Sequence, residues 1–294
     1  MKLISTACLL FFGCSSFAQT ARLKAEIQKI IENKKATVGI SIVANNFHDT
    51  ISVNGNVHFP MQSVYKFPIA LAVLSVVDDK KLKLDQKIVI AKSDLLPDTW
   101  SPIRERFPNG TEMTIAEIIR YTVSKSDNNG CDILLRLIGG TDKVEDFLLR
   151  NKLSDISVKA SEKKSAENWN IQFMNWSTPI ALTNLLMRAY DLNSHLLSRN
   201  NYQFIWQILE NTSTGEKMLR GKLPKNTFLA HKTGTSGIKN NITAATNDIG
   251  VVKLPDGSVF FISILITNSS ENSASNQKII ADIAKATYDF YSKQ

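Results

Sequence analysis

The sequence predicts an α+β fold, in which an antiparallel sheet flanked by helices packs on a separate all-α lobe. Three features of the pattern lead to this prediction. Segments rich in Val, Ile and Phe, typical of strands, lie near both ends of the chain. The middle of the chain repeats its apolar residues at helical spacing, and an amphipathic helix is expected at each end. We therefore expect strands from both ends to share one sheet and a functional site to lie at the seam between the lobes.

The predicted helices share an apolar stripe of period 3.6 and end at charged or glycine-rich stretches. They cover residues 21–33, 63–77, 131–138, 142–151, 179–192, 201–210 and 275–291, with one more that begins at the capping box of Thr114 and Glu117. The predicted strands cover residues 38–44, 50–53, 227–232, 243–253 and 258–267, with turns at Asn45-Asn46 and Asp256-Gly257. Residues 84–108 show few periodic signals and are expected to form a polar connection.

The first residues have the pattern of an export signal rather than of a folded element. Lys2 is followed by the apolar stretch 3–12 and by Ser16-Phe17-Ala18, a small-x-small cleavage site. Lipidation at Cys14 is the alternative, but the large Phe11 fits a lipidation motif poorly. We expect cleavage after Ala18 and an exported, periplasmic protein without a membrane span, because the stretch 3–12 is too short to cross a bilayer.

Composition excludes several classes of protein. After cleavage Cys131 is the single cysteine, so no intramolecular disulfide is expected and the thiol is interpreted as a small buried group. The net charge of +8 is spread over short clusters without a basic arm, so no nucleic-acid partner is expected. The 4 histidines are scattered, with no His-x-His-x-Asp cluster, and no glycine-rich phosphate loop occurs, so we expect neither a metal nor another cofactor.

The candidate nucleophile is Ser63 in the segment Ser63-Val64-Tyr65-Lys66, at the start of a predicted helix. Positions i and i+3 share a helix face, so the hydroxyl of Ser63 and the amine of Lys66 should meet. A serine hydroxyl needs a neighbouring proton acceptor, and a lysine removed from water or placed among cations can become one. Such a pair on its own also marks ordinary solvated turns, so its meaning depends on other motifs.

Two further motifs follow in the chain. Ser126-Asp127-Asn128 comes after a predicted helix, and Lys232-Thr233-Gly234 follows an apolar strand segment. Each triplet alone is typical of a turn or a strand end. Together with Ser63 and Lys66, in this order, the three motifs resemble the signature of class A β-lactamases and penicillin-binding proteins.

This resemblance covers the whole chain after the signal segment and implies the same serine β-lactamase/penicillin-binding-protein-like fold. It implies that Ser63 is the acylated nucleophile, that Lys66 is its proton partner and that Ser126 passes a proton to the departing ring nitrogen. It also implies the substrate contacts, in which Asn128 binds the substrate amide, Lys232 and Thr233 bind its carboxylate, and the backbone N–H groups of Ser63 and Thr235 form the oxyanion hole.

Deacylation in class A enzymes requires a glutamate on an Ω-loop that activates water. Glu162 is the candidate, because its distance from Asn175-Trp176 is similar to that in the PER-type, extended-spectrum subgroup. Asp132, where most class A enzymes have asparagine, is a further resemblance to this subgroup and is expected to anchor the loop backbone from beneath.

Two positions of this loop depart from the family pattern. Ala166 stands where an Asn or His usually helps to hold the water, and Lys163 replaces a common proline. Either Asn168 or Asn170 substitutes for the missing amide, or Glu167 is the base instead of Glu162.

The rim of the cleft contains three further candidates. Trp100 resembles the aromatic residue that forms a substrate wall, while Thr235 and Ser236 resemble positions that favour cephalosporins. The arginine that many class A enzymes use to assist carboxylate binding is absent, and Arg220 or Lys239 is a candidate replacement.

We therefore expect a monomeric class A serine β-lactamase, cephalosporins included among its small-molecule β-lactam substrates. A D,D-peptidase or penicillin-binding protein, or a non-catalytic β-lactam sensor, is the alternative. The predicted domain limits are a signal peptide at 1–18, a discontinuous α/β lobe at 19–57 and 206–294, and an all-α lobe at 58–205 that carries Ser63, Ser126 and the Ω-loop.

Overall fold

The computed structural model describes residues 11–44 and 47–293, with side chains from residue 20 onward. The beginning of the predicted export signal and the predicted turn at Asn45-Asn46 lie outside this part of the chain. The side chains of the predicted cleavage site and of Cys14 also lie outside it. Within the described residues, every helix is too short or too polar to cross a membrane.

The main sheet has five antiparallel strands that come from the two ends of the chain. The strands of the structure are β1 (Thr37–Ala44), β2 (Asp49–Val53), β3 (Phe59–Pro60), β4 (Lys87–Ala91), β5 (Gly110–Thr114), β6 (Ile156–Ser157), β7 (Trp176–Ser177), β8 (Leu229–Thr235), β9 (Ile238–Lys239), β10 (Ile242–Thr243), β11 (Thr246–Lys253) and β12 (Val259–Thr267). The sheet order is β2-β1-β12-β11-β8, with Ile40 opposite Ile264 at its centre. This arrangement confirms the α+β prediction.

The helices lie on both sides of this sheet. They are α1 (Phe11–Ile31), α2 (Lys66–Asp78), α3 (Pro102–Arg106), α4 (Ile115–Ser124), α5 (Asn128–Ile138), α6 (Thr141–Arg150), α7 (Glu162–Glu167), α8 (Pro179–Tyr190), α9 (Arg199–Glu210) and α10 (Ser273–Tyr291). Helices α1 and α10 bury one apolar cluster against the sheet, including Leu23, Ile264 and Ile280. The helices from the middle of the chain bury a second cluster on the opposite side, including Phe67 and Leu265. Because each sheet face is covered by apolar side chains, strands β1 and β12 read as nearly continuous apolar runs.

The segment 84–108 differs from the prediction of a polar connection. It contains β4, which pairs with β5 in an antiparallel ladder, and the short helix α3, which begins at Ser101 and Pro102. In β4 the side chain of Ile90 is buried, whereas Val89 is 70% exposed. A two-stranded ladder on the surface buries few side chains, so backbone pairing sets its structure and the apolar signal in the sequence is weak.

A small sheet fixes the chain just ahead of Ser63. Strands β3, β7 and β6 pair in that order, with Phe59 opposite Ser177 and Pro60 opposite Trp176. This sheet joins the approach to Ser63 with the segments that enter and leave the loop carrying Glu162.

Candidate active site

A cavity of about 550 Å³ opens beside Ser63 at the seam between the sheet and the helical middle. Side chains from all three sequence motifs line it, together with a loop that precedes β8. The lining side chains with polar or aromatic groups are Ser63, Trp100, Ser126, Asn128, Thr214, Glu216, Lys217, Thr233, Thr235 and Gln277.

Ser63 lies on a single 3₁₀ turn, Gln62–Tyr65, that runs directly into α2. The turn is held from the sheet by Asn247 of β11. The Nδ2 atom of Asn247 donates to the carbonyl oxygens of Pro60 at 2.8 Å and Met61 at 3.0 Å. The side chain of Asn247 is fully buried, so these hydrogen bonds fix the approach to Ser63 without competition from water.

Strand β8 lies against the same turn because Gly234 has no side chain. A Cβ atom at this position would be 2.4 Å from the carbonyl oxygen of Met61 and 3.0 Å from the backbone nitrogen of Ser63. Such distances are well inside van der Waals contact. The glycine of the third motif therefore allows the backbone approach that brings Thr233 and Thr235 to the cavity.

The ammonium group of Lys66 is the point where the predicted catalytic residues meet. The side chain is fully buried, and its Nζ atom lies 3.0 Å from Ser63 Oγ and 2.9 Å from the carbonyl oxygen of Ser126. It also donates to Asn128 Oδ1 and forms an ion pair with Glu162 Oε1 at 2.9 Å. A buried cation needs such partners, since an unpaired charge in the interior is costly.

Lys232 approaches the cavity from β8 on the other side of Ser126. Its Nζ atom donates to Ser126 Oγ at 3.1 Å and to the carbonyl oxygen of Thr233 at 2.9 Å. Complete burial, and then the charge of Lys66, lower the pKa of Lys232 to about 7. The Ser126 hydroxyl thus contacts one ammonium while its backbone carbonyl contacts the other.

The loop that carries Ser126 is held in an unusual backbone conformation. Ser126 has a φ of 59°, in the left-handed region. The buried carboxylate of Asp127 caps α5 through the backbone N–H of Gly130 at 2.8 Å and accepts the N–H of Ile103 at 2.7 Å. These charge-assisted hydrogen bonds compensate for the strain and hold the Ser126 hydroxyl at Lys232.

Glu162 lies at the first position of α7, on a loop pinned at two places. Asp132 accepts the N–H of Glu162 at 2.7 Å and that of Lys163 at 2.8 Å. Asn175 accepts the N–H groups of Lys159 at 2.8 Å and Ala160 at 2.9 Å. The first of these contacts places the Asp132 carboxylate under the loop, at the helix start where a negative charge is favourable.

The alternative residues of this loop lie at the protein surface. Glu167, Asn168 and Asn170 are exposed, and the Asn168 side chain caps the next 3₁₀ turn by accepting the N–H of Asn170. Ala166 is exposed as well. Of the two candidate bases, the structure brings Glu162 to Lys66 and leaves Glu167 toward solvent.

The rim candidates divide into two groups. Trp100 lines the cavity, is 56% exposed and is held by a 2.9 Å hydrogen bond from its Nε1 to the carbonyl oxygen of Lys125. Thr235 also lines the cavity. Ser236 does not, because its hydroxyl donates to the carbonyl oxygen of Gly237 at 2.7 Å and accepts the N–H of Ala245.

Neither candidate for the assisting cation lines the cavity. Arg220 donates to the carbonyl oxygen of Thr227, and the Lys239 ammonium lies over the Trp169 ring at 5.8 Å. Lys217, which sequence analysis did not select, does line the cavity and has no hydrogen-bond or ion-pair partner within the described chain. It lies in a loop between α9 and β8 that carries no motif, so only the folded arrangement identifies it.

Known proteins with similar sequences are β-lactamases. The model of the "Beta-lactamase enzyme family" matches residues 22–291. Beta-lactamase VEB-1 of Pseudomonas aeruginosa is 54% identical over 283 residues, which is 96% of this chain and 95% of that protein. Extended-spectrum beta-lactamase PER-1 of the same organism is 35% identical over 296 residues, covering 99% and 95%.

Two solved structures show the same architecture. The TLA-3 extended-spectrum beta-lactamase has a TM-score of 0.90 at 46% identity, covering 93% of this chain and 99% of that one. A class A beta-lactamase from Bacteroides cellulosilyticus has a TM-score of 0.89 at 35% identity, covering 94% and 99%.

Proposed function

Since the chain belongs to the beta-lactamase enzyme family, we propose that it hydrolyses the amide bond of β-lactams as a class A serine β-lactamase. One observation carries the proposal. A single buried ammonium, that of Lys66, contacts both the Ser63 hydroxyl and the Glu162 carboxylate, at 3.0 and 2.9 Å. A nucleophile and a water-activating group that share one proton carrier suit a reaction in two half-steps.

In the first half-step the Glu162 carboxylate takes a proton from the Lys66 ammonium, which leaves a neutral amine beside the hydroxyl. The amine takes the Ser63 proton as Oγ bonds to the lactam carbonyl carbon. The C–N bond then breaks, Ser126 gives its proton to the departing nitrogen, and Lys66 returns a proton to Ser126. Glu162 finally gives its proton back to Lys66, and the acyl-enzyme is formed. The 3.0 Å contact of Lys66 with Ser63 and its 2.9 Å contact with Glu162 support the transfers between these three residues.

In the second half-step Glu162 takes a proton from a water molecule as the water oxygen bonds to the acyl carbon. The bond between this carbon and Ser63 Oγ breaks, and the proton returns to Oγ through Lys66. The oxyanion of both steps would be stabilised by the backbone N–H groups of Ser63 and Thr235, which the close approach at Gly234 supports.

Substrate binding is proposed to use the remaining lining groups. Lys232 and Thr233 would bind the substrate carboxylate, and Asn128 would bind the side-chain amide. Trp100 would form an apolar wall for the substituent of the amide, and cephalosporins are expected among the substrates. The names of the extended-spectrum relatives PER-1 and TLA-3 support this range.

Export to the periplasm is also part of the proposal. It is supported by the positive start, the short apolar stretch and the small residues around Ala18. Cleavage after residue 18 is checked by mass spectrometry of the protein recovered from the periplasmic fraction.

The test of the reaction combines turnover with trapping. Purified protein should hydrolyse a chromogenic cephalosporin with many turnovers, and Ser63→Ala should abolish labelling and turnover. Glu162→Ala should acylate normally and accumulate a Ser63 adduct visible by mass spectrometry, because deacylation has lost its base.

Glu167→Ala is the matched control from the same loop and should turn over like the wild type. A stalled Glu167→Ala with a normal Glu162→Ala would assign the base to Glu167 instead. Stoichiometric labelling of the wild type without turnover would identify a penicillin-binding protein or sensor and refute the hydrolase.

A further inference from the structure

The phenol of Tyr65 is a buried polar group without a well-formed hydrogen bond. Tyr65 closes the 3₁₀ turn that carries Ser63 and immediately precedes Lys66. Its side chain is 3% exposed, and its hydroxyl makes no hydrogen bond of good geometry within the described chain, although the Glu162 carboxylate acts on it. A buried hydroxyl without a partner costs about 1–3 kcal/mol, and phenylalanine would fill nearly the same space without that cost. The hydroxyl therefore requires an explanation other than packing.

The surroundings of this hydroxyl are acidic. Burial raises the pKa of Tyr65 well above its ordinary value, and the Glu162 carboxylate raises it further, with smaller effects of the Cys131 thiol and Asp132. The phenol therefore keeps its proton and can serve as a donor. Among these neighbours, the Asp132 carboxylate already accepts two backbone N–H groups of α7.

The Glu162 carboxylate lies near both Lys66 and Tyr65. Its Oε1 atom pairs with Lys66 at 2.9 Å, and the carboxylate lies close enough to the Tyr65 hydroxyl to raise the pKa of that phenol. The loop side chains that could supply a donor point away, since Asn168 and Asn170 are exposed and position 166 is alanine. One buried donor and one carboxylate acceptor thus lie close together beside the nucleophile.

We propose that Tyr65 is a positioning residue that donates its phenolic hydrogen to the Glu162 carboxylate during deacylation. It thereby supplies the side-chain donor that the loop lacks at Ala166. Lys66 and Tyr65 then hold the two oxygens of Glu162 from adjacent positions of one turn, which fixes the carboxylate toward the acyl group on Ser63. This inference rests on the proposed function, because it assumes that Glu162 activates water.

The other charged and titratable groups around Glu162 define what Tyr65 adds. Helix α5 contributes Asp132 and the Cys131 thiol, and β8 contributes the Lys232 ammonium. The Lys66 and Lys232 ammonium groups attract the carboxylate of Glu162, and the Asp132 carboxylate repels it. A phenol donor favours the ionised form without adding charge, and it also sets the orientation of the carboxylate.

The test is Tyr65→Phe, which removes only the hydroxyl. Deacylation should slow by about tenfold, so that acyl-enzyme accumulates in the steady state, while the pre-steady-state burst of acylation changes by less than about twofold. The acid limb of the kcat profile should also move to higher pH, because the carboxylate has lost a donor that favours its ionised form.

Tyr291→Phe is the matched control, because Tyr291 is also buried and its hydroxyl also lacks a partner, but it lies in the apolar cluster of α10. It should leave the burst, kcat and the acid limb unchanged. A Tyr65→Phe variant with wild-type kcat and an unmoved acid limb would overturn the inference, while wild-type turnover through Ser63 would leave the proposed function intact.

A second substitution tests the same inference if Tyr65→Phe does not fold. Replacement of Tyr65 by 3-fluorotyrosine keeps the ring and the hydroxyl and makes the hydroxyl a stronger donor. The acid limb of kcat should then move to lower pH, and an unmoved limb would equally overturn the inference. Absence of both burst and turnover in the wild type would instead refute the proposed function itself.

Discussion

At the scale of single residues, the ammonium of Lys66 couples the groups proposed for the two half-reactions. It contacts Ser63, the carbonyl of Ser126 and the carboxylate of Glu162. Residues that share one partner do not contribute independently, so effects of substitutions among these three should be far from additive. The kinetic cost of losing Lys66 should accordingly appear in both acylation and deacylation.

Lys232, proposed to bind the substrate carboxylate, is expected to make substrate capture depend on pH near neutrality. Its pKa of about 7 means that the free enzyme loses this ammonium charge as the pH rises through that value. A substrate carboxylate then binds more weakly, so kcat/KM should fall as the pH rises, with the midpoint of the fall at about pH 7. The kcat profile should fall at higher pH, because a bound carboxylate favours the protonated amine.

The control for this pH dependence is Lys232→Arg. A guanidinium stays charged throughout the accessible range, so the remaining activity of this variant should lack the alkaline fall near neutrality. Steady-state kinetics from about pH 6 to pH 9 measure both profiles. A wild-type kcat/KM that stays constant across this range would contradict the assignment of the limb to Lys232.

Lys217 is expected to assist carboxylate binding from the cavity wall. Lys217→Ala should raise KM for carboxylate-bearing β-lactams by roughly two- to fivefold, since the group is exposed and screened by solvent. The value of kcat should change little, because the contact is equally present in the ground state and the transition state. Lys239→Ala removes an exposed lysine that lies on Trp169 instead of in the cavity, and KM should stay at the wild-type value. Equal KM values for Lys217→Ala and Lys239→Ala would show that Lys217 does not contact the substrate carboxylate.

At the scale of elements, the contact between β8 and the Ser63 turn determines whether the site forms. Gly234 permits this contact and Asn247 ties the same turn to the neighbouring strand. The two residues face each other in the β8–β11 ladder and both meet the carbonyl oxygen of Met61, one by close approach and one by a hydrogen bond. Together they fix the backbone N–H of Ser63 with respect to that of Thr235.

Gly234→Ala tests the close approach directly. The added methyl group would meet the backbone of Met61, Val64 and Ser63 at 2.4–3.0 Å, and backbone atoms cannot yield as flexible side chains do. We expect a loss of about 1–3 kcal/mol in the free energy of unfolding. The value of kcat/KM should fall by roughly hundredfold, because the nucleophile is displaced.

Gly237→Ala is the control from the same segment, since its nearest neighbour would be the Trp169 ring at 3.9 Å. It should leave both kcat/KM and the denaturation midpoint close to the wild-type values. A Gly234→Ala variant as active as the wild type would show that β8 can move away from the turn without displacing Ser63.

The sequence predicts elements best where one face is deeply buried. The helices at 115–124 and 273–291 and the sheet strands were identified from apolar periodicity, because the main sheet and its helices bury nearly all such residues. The β4–β5 ladder was missed, since it lies at the surface and exposes Val89. Its geometry depends on which backbone groups remain to be paired, and this cannot be read from side-chain hydrophobicity.

At the scale of the whole molecule, the two apolar clusters lie on opposite faces of the main sheet. Ile280 of α10 lies in the cluster on the sheet face opposite the one that packs on Phe67, and it is fully buried. Ile280→Ala should reduce the free energy of unfolding by about 2–5 kcal/mol through lost burial and the cavity that remains. Because the sheet is common to both clusters, fluorescence and activity should be lost at the same denaturant concentration.

Lys285→Ala in the same helix is the control, since it removes only a half-exposed ion pair with Asp289. Its free energy of unfolding should lie within about 1 kcal/mol of the wild-type value. Separate transitions for fluorescence and activity in Ile280→Ala would indicate that the two sides of the sheet unfold independently.

The site itself was predictable only in part. The motif residues Ser63, Lys66, Ser126 and Lys232 carry short local patterns that the sequence displays, and the structure brings them into contact. Asn247 and Lys217 were not predicted as site residues, since an isolated amide on a strand or a lysine in a loop carries no local pattern. Their importance arises from contacts between segments far apart in the chain, such as Asn247 with Pro60.

The pairing of β1 with β12 also has a consequence for biosynthesis. Residues 37–43 must wait for residues 261–267 before the central strands can hydrogen-bond, so more than two hundred intervening residues emerge from the ribosome first. Long-range pairing of this kind is slow to form. A nascent polypeptide that cannot close its sheet until synthesis is nearly complete stays unfolded for longer, as the export proposed above would require.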